Sequence, residues 1–297
     1  MERILTRLGV PGPSRLPYGG FKAKLRRNAF ALSALPPDRN AMLWGDMELG
    51  ERGPEMTTDR DNARAFALDF TRTLARSWQE HLGPQLLGAY LIGSLAHGGF
   101  NRRYSDIDMA LVTEDGLDDG DLDTMKEAAI ALSSESASKL SIFWADRYFS
   151  TGRFPPLDRV DFVDHGVALV EAEAVRPRRP SLTDIRAYLR GAPFENWANS
   201  ATAFAALDSL EPKDYKPYLR AQLYPARFIY SWATGRMASN DDAVVFIHEN
   251  CPVGLNVDLV ARALQCRKEA RDPDALFPDR KTLPRQIDAC ARSLSTE

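Results

Sequence analysis

Residues 91–112 read LIGSLAHGGFNRRYSDIDMALV and hold the side chains best suited to chemistry. An apolar run ends at Gly93-Ser94, eleven residues follow, and Asp106-Ile107-Asp108 opens the next apolar run. Gly93 lets a backbone approach a phosphate closely, and Ser94 offers a hydroxyl donor. A helix starting at the turn would add backbone N–H groups that favour an anion. Asp106 and Asp108 are i and i+2, so on a strand both carboxylates leave the same face. Two such carboxylates form a hard-oxygen site suited to Mg²⁺, which also takes oxygens from a triphosphate. Side-by-side carboxylates repel unless a cation compensates them, so a purely structural role for the pair is hard to justify. His97 lies in the turn, where a loop hydrogen bond is its simpler assignment.

These residues need strands to hold them. LLGAYLI before Gly93 reads as a buried strand, IDMALV as the next, and SKLSIFWAD as a third, with a helix between over 121–136. Ahead of them Phe66, Phe70, Leu74, Trp78 and Leu82 recur every four residues and predict a helix stopped by Gly83-Pro84. Pro155-Pro156 breaks the chain, and DRVDFVDHGVALVE reads as a fourth extended segment bent at Gly166. From Ser181 onward the pattern is helical. Ser181 with Asp184 forms a capping-box variant, a helix over 218–233 stops at Gly235, Asn240 caps another, and two more cover 257–270 and 282–294. The fold class is therefore an α/β (α+β) domain with a small mixed sheet, followed by an all-α helical bundle. The expected boundaries are 1–55 as a loosely attached or disordered extension, 56–176 as the catalytic domain and 177–297 as the helical domain. The extension is rich in Pro and Gly without periodicity, and Met56 reads as an alternative start.

The bulk numbers limit the function classes. A net charge of −3 over 297 residues does not call for nucleic acid as an obligatory partner. No apolar run reaches the roughly 18–20 residues needed to span a bilayer. The first twenty residues lack an apolar core and a small-residue cleavage site, so no secretory leader is expected. Cys251, Cys266 and Cys290 are odd in number and far apart, which suits a reducing cytoplasm. Trp144, Trp197 and Trp232 read as core or domain-interface residues.

Gly93-Ser94 followed by Asp106-Ile107-Asp108 resembles the nucleotidyltransferase superfamily that includes DNA polymerase β. LYPARFIYSWATGRMASNDDAVVFI, in turn, is similar to the helical domain of aminoglycoside adenylyltransferases of the streptomycin/spectinomycin type. The resemblance implies an NTP co-substrate, ATP above all, and a Mg²⁺ site of one or two ions. It implies that Ser94 and Ser105 contact the triphosphate, that Asp106 and Asp108 bind Mg²⁺, and that Arg236 stands where the family has a phosphate-binding lysine. It places the general base near Asp164, with Asp161 the better spare metal ligand. On a strand those two would point to opposite faces.

One departure stands out. The family carries a third carboxylate on the next strand, where this chain has Ser141, so Asp161 or Asp146 must supply it or the metal site is weakened. The hydroxyl-bearing acceptor is open. An aminoglycoside-like molecule, a partner protein as in toxin–antitoxin nucleotidyltransferases, and nucleotide binding without transfer all remain. Ahead of Thr234-Gly235-Arg236 stand Lys213 and Lys216 around Asp214, where a polycation would call for acids.

Overall fold

The structure is a computed structural model that describes residues 59–295; the expected arm over 1–55 lies outside the described residues. The chain begins with α1 (Asp59–Leu82), β1 (Leu86–Ile92), a single turn α2 (Gly93–Ala96), β2 (Ile107–Thr113), α3 (Asp119–Leu132) and a short α4 (Ser134–Ala137). It continues through β3 (Leu140–Asp146), β4 (Gly152–Arg153), α5 (Pro156–His165) and β5 (Val167–Glu171). Helices then follow to the end: α6 (Leu182–Arg190), α7 (Ala192–Ala206), α8 (Tyr215–Thr234), α9 (Asn240–Asn250), α10 (Val257–Lys268) and α11 (Leu283–Ser293).

The sheet is mixed, in the order β4-β3-β2-β1-β5. β1 runs antiparallel to β2 and to β5, whereas β2 and β3 are parallel. That parallel step needs a crossover, which α3 and α4 supply. Both faces of the sheet are covered. Leu91, Met109 and Leu111 pack against α1 and α3 through Leu74, Trp78 and Met125. Tyr90, Ile92, Ala110 and Val112 pack on the other side against Phe154 and Phe162. The helices from α6 onward build their own core, which Tyr104 and Val160 of the sheet-bearing part also enter.

Two expectations are corrected. The stripe on α1 starts at Phe70, because Phe66 is 59% exposed. A strict four-residue repeat gains about 40° per step on a helix of 3.6 residues per turn, so its first member rotates off the buried face. The second correction matters more: residues 156–165 are helical, not extended. Pro156 occupies the first turn, where its missing N–H is no loss, and Gly166 lies at the end of the helix. Val160, Phe162 and Val163 favour strands locally, but packing Val160 and Phe162 into two cores overrides that preference. Smaller shifts are that Tyr215, not Tyr218, opens α8, and that Ser239, not Asn240, caps α9.

Asp146 ends β3 far from the Gly-Ser turn and is consumed by the loop that leads to β4. Its carboxylate accepts from the backbone N–H groups of Tyr148 (3.0 Å), Ser150 (2.9 Å) and Thr151 (3.0 Å), and from both hydroxyls of Ser150 and Thr151. Burial pushes its pKa up, but these donors outweigh it and hold the carboxyl at about 2. A depressed folded-state pKa stabilises the fold above the unfolded value near 3.8 and stops doing so as pH falls towards 2. Asp146→Ala is therefore expected to lower stability by about 3 kcal/mol at pH 7. In urea melts run from pH 7 to pH 2 the gap to wild type should narrow below pH 4. A gap independent of pH would show that the charge on Asp146 does not hold the turn.

Candidate active site

Ile92 ends β1 directly opposite Asp108 of β2, and Ser141 of β3 lies beside Asp108 on the other side. The chain then turns sharply at Gly93, whose φ of +67° is a conformation that side chains rarely adopt. A Cβ at Gly93 would overlap the Asp108 carboxylate. The glycine thus serves close approach as well as the turn. Asp108 is pushed up to about 6, first by burial, then by Asp106 and Asp161; Arg227 and a hydrogen bond from Ser141 act against this.

The helix α5 brings two more acids to the same place. Asp161 is buried and accepts the Gly93 N–H at 2.6 Å through Oδ2, while its Oδ1 has no hydrogen-bond partner and lies 3.9 Å from His97 Nε2. Asp158, one turn earlier, is pushed up to about 7 by burial and by Asp108 and Asp161. Burial lowers the pKa of His97 although Asp161 opposes it; His165, edge-on at 5.4 Å, and Arg227 push the same way as burial. A helix places residues three and four apart on one face. Asp158, Asp161 and His165 accordingly share the side of α5 turned to the Gly-Ser turn.

Cations face them from the helical part. Asp106 pairs with Lys216, and its Oδ2 lies 3.0 Å from Arg220 Nη2. Arg227, two turns further along α8, is half-buried and donates to the sulfur of Met237 at 3.3 Å. Arg267, at the end of α10, donates to the Tyr104 carbonyl (2.9 Å) and the Ser105 hydroxyl (3.1 Å). Its pKa falls to about 10 through burial and the nearby Arg227 and Arg220. Among the described residues no carboxylate lies within ion-pair distance of Arg227 or Arg267. One cavity of about 700 Å³ joins both walls and is lined by Ser94, Asp106, Asp108, Asp158, Arg227 and Arg267 among others.

The structure brings together Gly93, Ser94, Asp106, Asp108 and Asp161 from the sequence-based set. It turns others elsewhere. Ser105 is buried and its hydroxyl is engaged with the Asn101 N–H (2.9 Å) and Arg267. Asp164 pairs with Arg179, which also donates to the Gly235 carbonyl at 3.2 Å, and does not line the cavity. Arg236 is exposed beyond the end of α8 and does not line the cavity. The single turn α2 offers no long helix terminus to an anion, and Asp161 already takes the Gly93 N–H. Trp197 is buried and donates to the Ala221 carbonyl at 2.9 Å.

The sequence reading missed Asp158, Arg220, Arg227 and Arg267. The signal for Arg220 and Arg227 was the helical period, since Lys216, Arg220, Tyr224 and Arg227 form one stripe on α8. That for Asp158 was concealed by reading α5 as extended. Nothing local marks Arg267.

A divalent cation fits Asp106 and Asp108. Among the described residues no three His, Cys, Asp or Glu side chains form a metal-binding group. Magnesium, however, is commonly held by one or two carboxylates, with substrate phosphates and water completing its shell. Burial raises Asp108 first, and the repulsion from Asp106 and Asp161 that adds to it is what such an ion would relieve.

No family model matches the sequence, and no curated protein matches it significantly. The fold, a small mixed sheet followed by a helical bundle, nevertheless has a counterpart among solved structures. It is similar to the spectinomycin adenyltransferase AAD(9) from Enterococcus faecialis, solved with ATP and spectinomycin. The TM-score is 0.55 at 12% identity, over 78% of this chain and 99% of that one, so the likeness is one of fold. A toxin–antitoxin structure with AMP-PNP matches 34% of this chain and 74% of its own at 24% identity, with a TM-score of 0.27.

Gly93→Ala tests the close approach. The strained φ should destabilise by about 1–3 kcal/mol, and Asp108 must move aside. Urea melts and Mn²⁺ titration should both weaken relative to wild type. An unaltered pair of values would mean that Asp108 does not abut Gly93.

Proposed function

We propose that the chain is a Mg²⁺-dependent nucleotidyltransferase that moves a nucleoside monophosphate, AMP from ATP, to an acceptor hydroxyl. One observation carries the reading: Asp106 and Asp108 on one wall of a cavity face Arg220, Arg227 and Arg267 on the other, and among the described residues Arg227 and Arg267 have no carboxylate within ion-pair distance. A metal–triphosphate complex has that polarity. Asp106 and Asp108 would hold the cation, and Arg220, Arg227 and Arg267 would neutralise the phosphates, with Ser94 as a hydroxyl donor. When bound, Mg²⁺ supplies charge stabilisation for the phosphoryl oxygens.

The remaining work falls to this chain's own residues. Asp158 lines the cavity beside Asp108 and is the base in this reading, because Asp164 is engaged with Arg179 outside it. Asp158 takes the acceptor proton, the acceptor oxygen bonds to the α-phosphorus, and the bond from that phosphorus to the pyrophosphate oxygen breaks. Pyrophosphate leaves towards the arginines. Catalysis is then mostly positioning and electrostatics. Asp161 orders the turn through Gly93. Beyond Asp158 the cavity wall formed by Tyr188, Asn196, Trp197, Ser200 and Tyr224 adds no carboxylate, while Asp241, which also lines the cavity, is paired with Lys268. It suits an uncharged hydroxyl compound better than a polycationic aminoglycoside.

A second reading, nucleotide binding without transfer, is favoured by Ser141 standing beside Asp108 where an acid is expected. Incubation with ATP and Mg²⁺ and an acceptor panel, followed by pyrophosphate release, separates the two. Asp106→Asn, Asp108→Asn and Asp158→Asn should each reduce release by roughly 100-fold or more. Asp164→Asn should leave it within about threefold, since charges paired at the surface contribute little. ATP binding with no pyrophosphate from wild type would establish the second reading. Full loss in Asp164→Asn would return the base to that residue.

A further inference from the structure

Lys216 and Arg220 are one helical turn apart on α8, and both reach the same carboxylate. Lys216 pairs with Oδ1 of Asp106 and Arg220 with Oδ2, so each oxygen of the first aspartate carries a cation from the helical part. We propose that Lys216 and Arg220 are positioning residues that compete with a divalent cation for Asp106 and, once displaced, move to the triphosphate. The proposal rests on Asp106 and Asp108 being the metal pair.

The argument is one of charge balance. A divalent ion on Asp106 would stand beside an ammonium and a guanidinium, and like charges that close repel. One set must leave. Arg220 has no neutral surroundings to withdraw into, because Arg227 and Arg267 already place positive charge on that side: burial first, then Arg227 and Arg220, lowers the pKa of Arg267. An incoming anion removes the obstacle. A metal–triphosphate complex brings both halves of the exchange: a cation for Asp106, and phosphate oxygens for Lys216 and Arg220. Metal alone brings only the first half and must work against both side chains. Nucleotide and metal should therefore bind with positive coupling that passes through α8.

The test uses the full chain and two probes, Mn²⁺ followed by electron paramagnetic resonance and α,β-methylene ATP followed by calorimetry. Lys216→Ala and Arg220→Ala should each tighten Mn²⁺ alone by roughly three- to fivefold, the scale of a half-exposed ion pair. The same variants should weaken the ATP analogue measured with Mn²⁺ present, so the two affinities move in opposite directions. Lys126→Ala removes an equal charge from an exposed pair with Asp123 on α3 and should change neither. A merely structural role for Lys216 and Arg220 would weaken both probes together, and that result overturns the proposal, as does unchanged Mn²⁺ affinity in both variants. Melting curves identify a variant that fails to fold, and the other variant then decides. If wild type and variants all fail to bind Mn²⁺, the metal assignment of Asp106 and Asp108 falls, and this proposal with it. If wild type binds and the variants do not tighten, the metal assignment stands and only the exchange is wrong.

Discussion

Asp108 is half-buried against Gly93 with Asp106 and Asp161 close by, and its proton affinity rises accordingly. Carboxylates gathered in a low-dielectric pocket repel one another unless positive charge or hydrogen-bond donors answer them. Much of the surrounding structure is that answer. Asp161 takes a backbone N–H, Asp106 takes two side chains from α8, and Ser141 donates to Asp108. For Asp158, burial first and then Asp108 and Asp161 outweigh Arg227 and a backbone N–H, and push its pKa up to about 7. The cluster gives the sheet-bearing part a strongly negative floor.

The helical part answers with α8. Arg220, Tyr224 and Arg227 of its stripe line the cavity and Lys216 pairs with Asp106, while Tyr218, Leu219, Ala226 and Trp232 on its other sides are buried in the bundle core. One helix thus performs two tasks that need different faces. Its apolar faces fix it in the bundle, and its charged face is held at a set distance from the aspartates. Arg267 completes the cluster from α10, at the end of the helix where a cation is favoured by the helix dipole.

What could be read from the sequence follows from how local each signal is. Gly93, Ser94, Asp106 and Asp108 lie within sixteen residues at the adjoining ends of two paired strands, so a two-residue period and a turn were enough to join them. The order of sheet and bundle was equally legible, since each uses its own hydrophobic period. Failure came where local preference and tertiary packing disagree. Val160, Phe162 and Val163 read as strand, yet α5 is helical, and with the wrong period Asp158 could not be seen beside Asp161. Arg236 was taken from the family resemblance, which puts a phosphate-binding lysine there, whereas from α8 it is Arg227 that lines the cavity. Arg267 meets Ser105 across 162 residues of chain, a distance that no periodicity spans.

The loop between α2 and β2 is tied to the far end of the chain. Asn101 donates to the Arg267 carbonyl (3.0 Å), Arg103 to the Ala270 carbonyl (2.8 Å), and Tyr104 to the Arg271 carbonyl (2.6 Å). Arg267 returns the contact to Tyr104 and Ser105. This clasp sets an order of assembly during synthesis. A growing chain that has emerged only as far as α8 has its sheet and its aspartates, but the loop leading into Asp106 still lacks the carbonyls that anchor it. The pocket therefore reaches its final shape only after residue 271 has cleared the ribosome. A nascent chain holds the acids of the site well before it holds the site.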